Sequence, residues 1–170
     1  MNSSDSEMGR ADRLCAIATR IGFTLWQLQQ LEGAVAQYLV LKTQAKPGMG
    51  LLEGNALVEK AQSGTFGTIV KKLIAAKAVT ADVEGPLQDL VRERNWLVHD
   101  SLRDSRSAVH SDNAMHTLLD RVDAMAEAIK PLLSAIGVLA EAHVKTAGVT
   151  DEQIRTQTER TLREWHGGRA

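Results

Sequence analysis

Aromatic residues are scarce in this 170-residue chain, where Phe, Trp and Tyr together make up 4%. A sheet-rich protein leans on β-branched and aromatic residues, so this scarcity argues against one. There is a single cysteine, which excludes a disulfide framework and a structural zinc site built on several thiolates. It leaves a reducing cytoplasm as the expected compartment. Charge of one sign is also missing: the formal net charge is −1, which excludes a polycationic nucleic-acid coat while leaving room for a small basic groove. No 18-residue apolar run exists, and the polar start MNSSDSEMGRADR lacks the apolar centre of a signal peptide, so no membrane partner is expected.

What is abundant is aliphatic. Hydrophobic residues make up 44% of the chain, and Ala and Leu alone supply roughly a quarter, both strong helix formers. The length suits one domain with its own core. The expected fold is therefore all-α: a helical bundle with two long helices, short connecting helices and a C-terminal helix.

Residues 1–9 are polar and read as a disordered start. From Leu14 to Leu39 the apolar residues recur at three- and four-residue steps, which predicts one long helix over about residues 11–43. QAKPGMGLLEG, residues 44–54, reads as a loop, followed by a short helix from Asn55 to Gln62. Thr65 can cap a second short helix carrying Ile69, Val70, Leu73 and Ile74. Thr80 or Asp82 opens the next, with Pro86 in its first turn and Val83, Leu87, Leu90, Val91, Leu97 and Val98 as its apolar positions. Asp100 to Asp112 is a polar stretch, with Arg103, Asp104, Ser105, Arg106 and Ser107, and reads as a connection. A second long helix then carries Leu118, Val122, Met125, Ile129, Leu132 and Ile136, with Pro131 expected to kink it. Gly148 ends it, and Thr150 with Gln153 forms the signature of a capping box for a last polar helix. The bundle is thus expected over residues 10–147, with a helical extension over 148–170.

The string VRERNWLVHDS, residues 91–101, is the one that suggests chemistry. On a helix Asn95 and His99 are four apart and share a face. Arg94 lies about 140° from His99 and falls on the apolar stripe, where a guanidinium must be paired, exposed at a helix end or placed in an interface. Other constellations are weaker. His110, Asp112 and His116 straddle a loop and a helix start, which is poor spacing for zinc, so no metal site is expected. His99, Asp100 and Ser101 are consecutive and diverge around a helix, and Cys15 reads as a packing residue.

Arg94-Asn95-Trp96-Leu97-Val98-His99 resembles the Arg-x(4–6)-His motif of the HEPN superfamily, including the polar residue directly after the arginine. Arg92 also satisfies the wider spacing to His99. The preceding TFGTIVKKL, residues 65–73, looks like the short helix ahead of the motif in many members, and the helix order over residues 14–145 is similar to the family's bundle. The resemblance implies a homodimer that brings two motifs into one cleft, and a metal-independent endoribonuclease needing no cofactor. Arg94, Asn95 and His99 would then be catalytic, with Arg92, Trp96 and Arg103 beside them for RNA contact. The residue types suit that chemistry, because an imidazole exchanges protons near neutral pH and a guanidinium grips phosphate oxygens. The 2′-hydroxyl of RNA would be the nucleophile. A toxin or defence role follows from the same resemblance, with an antitoxin or regulatory protein as a further partner. The alternative is a non-catalytic HEPN-like module that binds a protein or ligand, since fold alone does not fix function.

Overall fold

Seven helices follow one another along the chain in the computed structural model, which describes residues 3–167 with side chains from Gly9 onward. They are α1 (Ser3–Thr43), α2 (Leu51–Gln62), α3 (Phe66–Ala75), α4 (Ala81–His99), α5 (Ser101–Ala108), α6 (Asp112–Thr146) and α7 (Asp151–Trp165). No strand occurs among the described residues, so the fold is an all-α bundle. No helix there is long and apolar enough to cross a membrane.

The two long helices form the most extensive pair. Their stripes meet in the core, with Leu28, Leu31 and Val35 of α1 and Val122, Ile129 and Ile136 of α6 all buried. Polar clamps on the rim fix their relative direction. Arg13 reaches Asp112 at 2.7 Å and donates through Nε to the Val109 carbonyl at 2.9 Å, and Arg20 pairs with Asp123. Residue numbers rise together along both helices, so α1 and α6 run parallel. Glu93 of α4 pairs with Arg121, while Trp96, nearer the end of α4, lies among Leu118 and Ala114. Helix α4 therefore runs against them. At the other end Tyr38 donates to the Ala78 carbonyl at 2.8 Å and ties α1 to the turn before α4.

Several local expectations are met by the atoms they named. The Thr65 hydroxyl accepts from the Thr68 amide and opens α3. Thr150 and Gln153 form the reciprocal capping box of α7. Gly148, at φ +92°, takes the left-handed turn that ends α6, with its amide donating to the Lys145 carbonyl at 3.0 Å.

Other boundaries differ. Helix α1 begins at Ser3, not near residue 11, so the expected disordered start is helical from there; Met1 and Asn2 lie outside the described residues. Helix α2 starts at Leu51, four residues early, on an extended Gly50 that follows a turn at Gly48 with φ +84°. Pro86 stands in the second turn of α4 rather than its first, and Thr80 makes no side-chain cap bond. Helix α6 continues through Pro131. The largest difference is α5, a helix where a polar connection was expected. The Ser101 and Ser105 hydroxyls turn inward and donate to the carbonyls of Leu97 and Ser101, one turn back. That self-satisfaction lets a Ser-Ser-Ala108 face be buried without an apolar stripe.

Candidate functional site

Helix α4 is held on three sides before any functional residue is reached. Val83, Leu87, Leu90 and Leu97 are buried in the core. On the flank toward α6, Glu93 accepts two hydrogen bonds from Arg121, at 2.8 and 3.1 Å. That bidentate contact, chiefly, raises the Arg121 pKa above its already high ordinary value and keeps the fork charged. The Arg121 guanidinium also lies 3.6 Å from the Trp96 ring centroid, a cation–π contact, and the Trp96 indole N–H donates to Asp104 of α5 at 3.0 Å. Trp96, expected beside the motif for RNA contact, thus has one ring face covered and its polar edge engaged. It is a post at the α4–α5–α6 corner, beside a groove of about 270 Å³ that Ser107 and Thr117 help to line.

On the flank toward α1, Arg94 donates through Nε to Glu32 at 2.9 Å, each side chain keeping a quarter of its surface exposed. An arginine on the apolar stripe requires a partner, and Glu32, 62 residues earlier, supplies it. The bond uses Nε, and this guanidinium makes no other hydrogen bond among the described residues.

Asn95 and His99 are exposed on the outer face, His99 as the last residue of α4. No hydrogen bond or ion pair joins Arg94, Asn95 and His99 to one another within this chain, among the described residues. The structure therefore brings Asn95 and His99 to one surface and turns Arg94 to the adjoining edge. Arg92 is exposed and paired with Asp89 on its own helix. Arg103, on α5 just past the α4 end, is exposed and lies 3.8 Å from Asp100 and 3.7 Å from Asp104.

Two residues that hold this site were not singled out by the sequence, Glu32 and Arg121. A signal for Glu32 exists in retrospect: α1 carries only Arg13, Arg20 and Glu32 as charges between Asp12 and Lys42, so each marks an inward contact. Among the described residues no group of three or more His, Cys, Asp or Glu side chains is placed to hold a metal ion. Asp112 of the His110–Asp112–His116 set is engaged by Arg13 instead. No family model, curated protein or solved structure matches this chain.

Proposed function

We propose that this chain is an HEPN-like, metal-independent endoribonuclease acting as a homodimer, with the role of a toxin or defence component in the cytoplasm. The observation that carries the reading is the division of the motif helix: everything needed to hold α4 faces inward, and Asn95 and His99 are left together on the open face. His99 takes the proton from a ribose 2′-hydroxyl, whose oxygen attacks the adjacent phosphorus. The P–O5′ bond breaks as the new P–O2′ bond forms, giving a 2′,3′-cyclic phosphate and a 5′-oxygen that takes a proton from water to leave as the hydroxyl. The Nη groups of Arg94 face the phosphate while Glu32 holds Nε, so the guanidinium is oriented by one carboxylate and offers its remaining donors to the oxyanion. Asn95 orients the phosphate or the imidazole. Arg92 and Arg103 would exchange their carboxylate neighbours Asp89, Asp100 and Asp104 for RNA phosphates, and an antitoxin or regulatory protein would cover the site.

The test is cleavage of RNA by the purified protein in EDTA, with His99→Ala and Arg94→Ala beside the wild type. Loss of cleavage in both is expected, and full activity in both would sink the assignment. A second reading, a non-catalytic interaction module, is favoured by the exposed aromatic pair Phe23 and Trp26 on α1. It predicts no cleavage by any variant.

A further inference from the structure

The outer face of α1 is unusual for a helix at a protein surface, because it carries no charge. Between Asp12 and Lys42 the helix has three charged residues, Arg13, Arg20 and Glu32, and all three are paired with α6 or α4. What the opposite face offers is Cys15, Ala18, Thr19 and Gly22, all exposed, followed by Phe23 and Trp26 at 53% and 52% exposure. The two rings stack on one another with centroids 6.2 Å apart and present a joint apolar surface. A Cβ built on Gly22 would meet nothing within 4 Å, so the space above this glycine is open to a neighbour.

We infer that this face is the seat of a second copy of the same chain, its α1 packed antiparallel and crossing beside Arg20 and Ile21. The pattern of sizes is self-complementary about that point. Trp26 of one copy falls opposite Cys15 of the other, Phe23 opposite Ala18 and Gly22 opposite Thr19, so each large side chain meets a small one and each such contact occurs twice. A two-fold pair requires this isologous matching. At the ends of the contact the exposed Asp12 carboxylate falls opposite the Gln29 and Gln30 amides, a polar rim around an apolar centre. The area also suits: a buried aromatic covers ~150–250 Å², so four half-open rings would remove about 400 Å² from water. That is about a quarter of the ~1,600 Å² in a standard interface. The strip symmetric about the crossing, from Ala11 to Gln30 and about 29 Å long at the helical rise, is available for the remainder.

The pairing does not rest on RNA chemistry: it uses the α1 face turned away from α6 and α4, and Arg94 of the motif helix meets Glu32 about 17 Å along α1 from the crossing.

Sedimentation equilibrium of the full chain across the micromolar range tests the inference. A dimer is expected for the wild type. Phe23→Glu combined with Trp26→Glu should give a monomer with unchanged helical circular dichroism, and Gly22→Leu should weaken association by about tenfold or more. A probe that needs no substitution is the Cys15 thiol, which should react more slowly with a thiol reagent as concentration rises. Antiparallel packing holds the two Cys15 residues about 17 Å apart along the helices, so oxidation should yield no Cys15–Cys15 disulfide. A wild-type monomer, a dimer indifferent to the two glutamates, or ready disulfide formation would overturn it. Cleavage is read separately: a dimer that cleaves no RNA leaves the pairing and removes the ribonuclease reading, and a monomer that cleaves does the reverse.

Discussion

The two sides of α4 obey different rules. Its inner side is occupied at every position, apolar residues in the core and each charged or polar group with a named partner: Arg94 on Glu32, Glu93 on Arg121, Trp96 on Asp104. Its outer side holds Asn95 and His99 with no such partner recorded and both open to solvent. A side chain that contributes little to stability is free to be chosen for what it does to another molecule. The difference between the sides therefore separates residues that hold the helix from residues offered to a ligand, with Arg94 at the edge serving both through Nε and its remaining donors, and it can be attacked from either side.

The largest effect should come from the core. Leu87 is fully buried, so Leu87→Ala should cost ~2–5 kcal/mol through lost burial and the cavity left behind. Urea unfolding measures it, and a cost below about 1 kcal/mol would mean that α4 is not held as described. Next comes the half-buried ion pair. Glu32→Ala strands the Arg94 guanidinium and should cost ~1–3 kcal/mol, whereas replacing both partners by leucine should cost less than the sum of the single changes. Additive costs in that cycle would show that the pair is not coupled. Trp96→Phe keeps a ring beneath Arg121 but removes the donor to Asp104, an expected loss of ~0.5–1.5 kcal/mol. Smallest of all in stability should be Asn95→Ala and His99→Ala, each within ~0.5 kcal/mol of the wild type.

The readable parts of this molecule were those decided within a few residues. The Thr65 cap, the Thr150–Gln153 box and the apolar stripes of α1 and α6 depend on neighbours three or four positions away, and they stand where the spacing put them. Helix α5 was illegible because its buried face joins Ala108 to Ser101 and Ser105, two residues that look polar until their hydroxyls are turned back onto the preceding carbonyls. The candidate site was legible in its residue types and in the shared face of Asn95 and His99. Its supports were not, since Glu32 is 62 residues and Arg121 27 residues from Arg94, a distance no local pattern spans. Trp96 shows the same limit: its cation–π partner Arg121 stands 25 residues further along the chain, where no local pattern announces it.

The most direct test uses His99→Ala in two measurements on one preparation, the urea midpoint and RNA cleavage in EDTA. The account predicts an unchanged midpoint with cleavage reduced by ~10²-fold or more, the scale of a lost general acid–base group. Cleavage retained at the wild-type rate, with the fold intact, would contradict it.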